Sequence, residues 1–216
     1  MHRIEALSLA IQNGDWLPAM YPELYDGYGY ALPLFYGNLL IYPFAILNAV
    51  GINSLGCFEL MQASILLGTV LASFFCAKSI FKNSDTAFFC AVFYAGSTYL
   101  ATDVFTRSAI GEAMVFMIAP LVLLGIWRSA FGEYRRNWPL SVGFALLALT
   151  HVLSLVMFCV LTFAFLVLSA SRYVKEPKRI LYFVLNGVAA VLISAFFCSR
   201  LRSNSLALSS FRQTTH

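Results

Sequence analysis

Three charged residues lie close together in the segment DVFTRSAIGE, residues 103–112, between two apolar runs. Asp103 and Arg107 are four residues apart, so on a helix they could simply form an ion pair. The functional alternative is a site for a cation, a phosphate or a sugar that includes Glu112, because charges at membrane depth are costly and usually functional. A planar guanidinium such as that of Arg107 suits phosphate in particular. The sequence leaves both alternatives open.

Two further groups of polar residues are candidates for chemistry. His2, Arg3 and Glu5 lie at the N-terminus, where the simpler interpretation is a solvated helix start. His151 and Ser154 interrupt a long apolar run in the segment THVLS. An unpaired polar group there costs on the order of a few kcal/mol, so the simpler interpretation is a hydrogen bond between helices.

Other kinds of site are not indicated. Three histidines are spread over the chain without an HxxxH or CxxC motif, which gives no zinc ligand set. There is also no P-loop, GxSxG or dinucleotide fingerprint. The five cysteines lie mostly inside apolar runs and are expected to be small buried hydrophobic residues.

The elements that hold these residues must be membrane helices. Of the 216 residues, 60% are hydrophobic and 11% are charged, with a mean hydropathy of +0.78. Soluble domains are roughly half apolar and a quarter charged, so the composition predicts an integral membrane protein. The net charge of +4 is then interpreted as loop charge that sets topology, and no nucleic-acid partner is expected.

Several apolar windows are long enough to cross a bilayer, which takes about 20 residues. The stretch Leu140–Ser171 would form a straight helix of about 48 Å, longer than a hydrocarbon core of about 30 Å. We therefore predict a helical hairpin broken at Thr150–His151. Single spans are predicted at Phe58–Ala77, Thr86–Ala101, Ala113–Trp127 and Ile180–Phe197.

The distribution of positive charge orients these spans. If the positive-inside rule holds, the basic loops are cytoplasmic, and the loop 103–112, the hairpin tip and the N-terminal region lie on the outer face. The stretch Pro33–Val50 then cannot be a full crossing, and its Gly, Pro and Tyr content suits a re-entrant or juxtamembrane element. The basic clusters are Lys78 and Lys82, then Arg128, Arg135 and Arg136, then Arg172, Lys175, Lys178 and Arg179.

We therefore predict an all-α fold, a polytopic transmembrane helix bundle with an outer-face juxtamembrane segment. Residues 1–57 are expected to form an outer-face amphipathic and juxtamembrane region, beginning with a short helix that ends at Asn13–Asp15. Residues 58–197 form the helix bundle. Residues 198–216 form a serine- and arginine-rich polar tail, either disordered or artefactual.

The order of these motifs resembles a known family of membrane proteins. HRIEALSLAIQNGDWLP, YDGYGYALPLFYGNLLIYPFAILNAVG, RSAIGEAMVFMIAPLVLLG and LLALTHVLS follow one another from residue 2 onwards. They are similar to bacterial multi-pass proteins of the GT-C glycosyltransferase-like superfamily, many of which carry the label "6-pyruvoyl-tetrahydropterin synthase-related domain, membrane protein". The likeness extends to about residue 197. The pterin label implies no chemistry here, because nothing in the chain could form a three-histidine zinc site.

The resemblance implies a fold and an activity. It implies a GT-C-like bundle in the bacterial inner membrane, with its site on the outer face, that transfers a sugar from a polyprenyl-phosphate carrier to an acceptor that the sequence does not identify. Asp103 and Glu112 are the implied catalytic acids, with room for a divalent cation, Mg²⁺ or Mn²⁺, but no certain cofactor. The substrate and its phosphate would be bound by His2, Arg3, Arg107, His151, Tyr28, Tyr30 and Tyr36.

One departure from the family pattern changes the expectation. The family's key aspartate lies a few residues before the position of His2, at the end of a first transmembrane helix, and family members are much longer at the C-terminus. We therefore expect an incomplete or inactive form, apparently truncated at both ends. The alternative function is a transporter or flippase-like protein for a lipid-linked or anionic substrate, which a broken helix and a re-entrant segment would serve equally well.

Overall fold

The computed structural model describes residues 1–18, 20, 21, 29 and 36–213, with side chains up to residue 195. Every regular element in these ranges is a helix, which confirms the all-α prediction. A π-helical turn, Thr102–Thr106, follows α5, and a 3₁₀ turn, Tyr134–Arg136, precedes α7. The helices are α1 (His2–Gln12), α2 (Tyr42–Ala49), α3 (Ser54–Phe81), α4 (Ser84–Ala95), α5 (Thr98–Ala101), α6 (Ile110–Ala130), α7 (Trp138–Ala148), α8 (Val152–Leu168), α9 (Ala170–Lys175) and α10 (Lys178–Gln213).

Three helices in the described part of the chain are long and apolar enough to cross a membrane. They are Ser54–Phe81, Ile110–Ala130 and the first part of α10, Lys178–Ala195. Each contains one of the single spans that the sequence predicts, except that the predicted span Ile180–Phe197 extends two residues beyond the third of these helices. The backbone of α10 is helical through Gln213, so this helix passes the boundary predicted at residue 198 without a break.

The predicted span Thr86–Ala101 is not one straight helix. α4 ends at Ala95, and the path bends by 45° before continuing as α5 and the π-helical turn to Thr106. Gly96 ends α4, and the Ser97 hydroxyl then caps α5 by accepting a hydrogen bond from the Leu100 amide. A side chain that satisfies free amides at a new helix start stabilises such a break, and this signal is readable in the sequence.

The predicted break at Thr150–His151 is confirmed. α7 ends at Ala148 and α8 begins at Val152. The His151 ring caps α8, because its Nδ1 atom accepts a hydrogen bond from the Ser154 amide at 3.2 Å and lies 2.7 Å from the Ser154 hydroxyl. The cap accounts for the polar pair in an apolar run by a contact within α8, where the sequence suggested a bond between helices.

α6 and α7 pack with their backbones in direct contact. A methyl group added at Gly125 would come within 2.6 Å of the Leu140 backbone, and one added at Gly143 within 2.7 Å of Val122. Small residues at such points allow membrane helices to approach closely. The two contacts also set the antiparallel register of the two helices.

By contacts the chain divides into two compact units, residues 1–63 with 195–216 and residues 64–194. In the first unit α1 and α2 run in the same direction, since Arg3 contacts Asn38 and the Gln12 amide donates to the Ala49 carbonyl. α2 has eight residues, about 12 Å of helix, which is too short to cross a membrane. The re-entrant placement of Pro33–Val50 stays a prediction, and residues 33–35 lie outside the described residues.

Candidate functional site

The charged segment 103–112 folds into one connected cluster in the second unit. Arg107 Nη1 lies 2.9 Å from Asp103 Oδ1 and 3.2 Å from Glu112 Oε2. The Tyr99 hydroxyl donates a hydrogen bond of 2.8 Å to Glu112 Oε2 and lies 3.5 Å from Arg107 Nη1. We call these four residues the Arg107 cluster.

Local backbone geometry brings these side chains together. The π-helical turn places Asp103 and Arg107 on adjacent turns of one helix. The chain then reverses at Ser108, whose φ of 51° lies in the left-handed region. This turn starts α6 and brings Glu112, in its first turn, back to Arg107. π-helical segments occur often at functional sites.

The cluster has a buried carboxylate and an accessible cation. The Asp103 side chain is fully buried, whereas those of Arg107 and Glu112 are 48% and 31% exposed. Asp103 Oδ2 has no hydrogen-bond partner among the described residues. Arg107 uses Nη1 for all its hydrogen bonds to described residues, so its Nε–Nη2 edge remains available to an anion.

His151 lies toward the same end of the second unit as Glu112. Gly125 faces Leu140 and Gly143 faces Val122, and the same antiparallel register places Ala148 opposite Met117. His151 comes three residues after Ala148, and Glu112 comes five residues before Met117, so both lie beyond this point at the same end. The His151 side chain is buried, at 4% exposure, and its Nδ1 atom is engaged in the cap of α8. It therefore stabilises the fold at this end, and its predicted role in substrate binding stays a prediction.

Arg3 forms a separate cluster in the first unit. Its Nη2 atom donates to the carbonyl oxygens of Tyr36 and Gly37 at 2.9 and 2.8 Å, and to Asn38 Oδ1 at 3.0 Å. The Asn38 amide in turn donates to the buried Tyr21 hydroxyl at 2.8 Å. The Arg3 guanidinium thus ties the start of α1 to the segment before α2.

Burial shifts the ionisation of this first-unit cluster. It lowers the pKa of the Arg3 guanidinium, which the neighbouring tyrosines partly counteract. Burial also raises the pKa of Tyr21 to about 12, although Arg3 pulls it the other way. In the same unit burial raises the pKa of Tyr42 to about 12, and its hydroxyl donates to the Trp16 carbonyl. Both phenols are therefore neutral hydrogen-bonding groups at ordinary pH.

The stability of the first unit should fall at high pH because of Tyr21. Below pH 10, the ordinary pKa of tyrosine, the phenol is neutral in the folded and the unfolded chain, so its contribution is fully present. Between pH 10 and about 12 the unfolded chain loses the proton first, and stability declines. We expect Tyr21→Phe to be less stable than the unmodified protein at pH 8 by about 1–3 kcal/mol, because the Asn38 amide loses its acceptor. Its stability should then decline less as the pH rises from 10 to about 12.

The measurement is chemical unfolding from pH 8 to 12, with Tyr36→Phe, which removes an exposed phenol of the same unit, as the matched variant. Absorbance at 295 nm should show that Tyr21→Phe loses one phenol that titrates late. A decline in stability equal to that of the unmodified protein would contradict the assignment to Tyr21.

The remaining predicted site residues have different surroundings. His2 is exposed and its Nδ1 lies 3.4 Å from Glu5 Oε2. The Arg3 guanidinium lies 5.7 Å from the centre of the Tyr36 ring, so Tyr36 belongs to the surroundings of Arg3 in the first unit. Tyr28 and Tyr30 lie outside the described residues, and their predicted role in sugar binding stays a prediction.

A divalent cation has few protein ligands in the part of the chain that the structure describes. No group of three or more His, Cys, Asp or Glu side chains there is arranged to hold a metal ion. Arg107 Nη1 already contacts both Asp103 and Glu112, and its single positive charge offsets one of their two negative charges. A cation at this point would have to displace the guanidinium, and a substrate phosphate would have to supply further ligands.

The sequence did not single out three residues that complete the two clusters. Tyr99 joins the Arg107 cluster, and its position four residues before Asp103 is a helical spacing that could have indicated it. Tyr21 and Asn38 join Arg3 from 18 and 35 residues away. No spacing rule predicts such long-range contacts.

Comparison of the chain with protein-family models, with curated proteins and with solved structures found no match. The candidate site therefore rests on the residues and their geometry.

Proposed function

We propose that this chain is an integral membrane protein of glycosyltransferase type whose Arg107 cluster receives the phosphate of a polyprenyl-phosphate-linked sugar. The observation that supports it best is the available Nε–Nη2 edge of the half-exposed Arg107, at the end of apolar helices. A planar edge with two donors matches two phosphate oxygens. The membrane helices would accommodate the polyprenyl chain of the carrier.

The residues of the cluster take different roles in this proposal. Asp103 is fully buried, so it acts as a positioning residue that holds Arg107 through Nη1. Glu112 is accessible, and its carboxylate would accept the proton of the acceptor hydroxyl. The hydroxyl oxygen then bonds to the anomeric carbon as the bond from that carbon to the phosphate oxygen breaks. Arg107 stabilises the negative charge that the leaving polyprenyl phosphate gains.

The test measures the affinity of the full chain in nanodiscs for a polyprenyl phosphate by isothermal titration calorimetry. The double variant Arg107→Gln/Asp103→Asn removes the guanidinium without leaving a buried unpaired charge. We expect it to bind about tenfold more weakly, the effect of losing one charge-assisted contact. Arg135→Gln removes the same charge from an exposed residue outside the cluster and should bind normally.

Either of two results would overturn the proposal. One is equal affinity of the double variant and the unmodified chain. The other is an equal loss for Arg135→Gln, which would indicate general attraction of anions by the charge of the protein. Transfer is measured separately, as loss of labelled sugar from the carrier, and should decrease in Glu112→Gln while carrier binding is kept.

Movement of the carrier across the membrane is the second candidate function, and one observation favours it. The path from α4 to α5 bends by 45° inside a candidate span and continues as a π-helical turn. Broken helices are typical of transporter substrate sites. If liposomes containing the chain exchange a fluorescent polyprenyl phosphate between leaflets and transfer no sugar, this function replaces glycosyl transfer.

A further inference from the structure

An apolar groove of about 400 Å³ lies between α7, α8 and α10 in the second unit. Its wall includes Leu140, Phe144, Phe163, Phe183 and Gly187. The volume lies within the range of about 300–1,000 Å³ that small-molecule sites have. Nothing lies within 4 Å of a methyl group placed on Gly187, so there is open space along this face of α10.

The groove begins next to a strongly basic end of the same unit. Leu140 is two residues from the start of α7, and Phe183 is five residues from the start of α10. Nine Lys and Arg residues and three carboxylates are found at this end, so it attracts anions. We call these nine residues the basic end: Lys78, Lys82, Arg128, Arg135, Arg136, Arg172, Lys175, Lys178 and Arg179.

Hydrogen bonds assemble the basic end from separate helices. Arg128 Nη2 donates to the Ser79 hydroxyl at 2.7 Å, which joins α6 to α3. Arg179 Nη1 donates to the carbonyls of Ser129 and Gly132 at 3.2 and 3.3 Å, which joins α10 to the end of α6. The Tyr173 hydroxyl lies 2.8 Å from the Ser129 hydroxyl and fixes α9 against α6.

Arg172 is held in place but its charge is not neutralised. Its guanidinium lies 4.2 Å from the centre of the Phe131 ring. In the described part of the basic end, Arg179 forms an ion pair with Glu176, whereas Arg172 has no carboxylate partner there. A cation that is fixed over an aromatic ring and lacks a counterion is suited to an anionic ligand.

Exposed apolar side chains surround these cations. Leu168 and Val174 are 85% and 80% exposed, and Trp138 is 59% exposed. Tryptophan and apolar residues mixed with Lys and Arg are typical of the membrane–water interface. This composition favours a lipid over a nucleic acid or a free anion.

The dimensions of the groove also fit a lipid chain. Its wall on α10 extends from Phe183 to Ser194, which is about 17 Å of helix. One leaflet of a hydrocarbon core is about 15 Å thick. We infer that the second unit binds an anionic phospholipid, with its phosphate at Arg172 and an acyl chain in the groove. This inference does not depend on the proposed function of the Arg107 cluster.

The test adds lipid to the delipidated full chain in neutral detergent. Native mass spectrometry measures how much lipid the chain retains, and the unfolding midpoint measures how much the lipid stabilises it. Phosphatidylglycerol should be retained and raise the midpoint, and phosphatidylcholine with the same chains should do neither. Arg172→Gln should weaken phosphatidylglycerol binding about tenfold, as expected for loss of a charge-assisted contact. Gly187→Leu places a side chain in the open groove and should also weaken it. Lys78→Gln, with the same charge loss on α3, should weaken phosphatidylglycerol binding less than Arg172→Gln does.

Four results would overturn the inference. The first is equal retention of phosphatidylcholine, and the second is normal binding of phosphatidylglycerol by both test variants. The third is stabilisation of the chain by millimolar inorganic phosphate that equals stabilisation by the lipid, which would indicate a free-anion site. The fourth is displacement of the lipid by a polyprenyl phosphate in a manner that depends on Arg107 and not on Arg172, which would assign the groove to the proposed sugar carrier.

Discussion

Gly125→Ala is expected to destabilise the helix bundle by about 1–3 kcal/mol, the usual effect of overpacking a close contact. The added methyl group would lie 2.6 Å from both the backbone nitrogen and the Cα of Leu140. Backbone atoms cannot rotate away as a flexible side chain can, so α6 and α7 must separate. Their separation would also strain the hydrogen bond of 2.8 Å from the Asn137 amide to the Gly125 carbonyl.

Gly187→Ala is the matched control for this prediction. It is the same substitution in another apolar helix, where nothing lies within 4 Å of the added methyl group. Alanine is a better helix former than glycine by about 0.5–1 kcal/mol, so this variant should be as stable as the unmodified chain or more stable. Thermal unfolding in detergent compares the three proteins. Equal midpoints for the two variants would show that α6 and α7 are not in backbone contact.

Arg107→Gln is expected to lower the unfolding midpoint by on the order of 5 °C or more. The substitution leaves the fully buried Asp103 carboxylate without its cation, and removing one partner of a buried pair is far more harmful than removing both. Adding Asp103→Asn should therefore restore most of the loss. The double variant is thus the more suitable protein for the binding experiments on the Arg107 cluster.

A thermodynamic cycle of the two single variants and the double variant measures this coupling. The matched pair is Glu176→Gln with Arg179→Gln, because Glu176 is largely exposed and ion pairs at the surface contribute little. Strictly additive effects of the Arg107 and Asp103 substitutions would contradict a coupled buried pair. A coupling energy between Arg179 and Glu176 as large as that between Arg107 and Asp103 would show that burial does not determine the strength of the ion pair.

The sequence by itself determined the helical architecture and the positions of its long apolar helices. Apolar runs of sufficient length can satisfy their backbone in a membrane only as helices, so α3, α6 and α10 were predictable from hydropathy. The break at Thr150–His151 was also predictable, because the apolar run is too long for one crossing and polar residues interrupt it. The four-residue spacing of Asp103 and Arg107 allowed for the ion pair that the structure contains, and it left a functional role open as well.

Tertiary structure decided the features that depend on residues distant in sequence. The contacts of Arg3 with Asn38 and of Arg179 with Ser129 join segments whose separation no helical periodicity specifies. The backbone contact at Gly125 likewise depends on the register of α6 against α7, which is set by packing across both helices. Hydropathy records how apolar each segment is and contains no information on which segments meet. The fold class could therefore be read from the sequence, whereas the groove and the way its basic end is assembled required the tertiary structure.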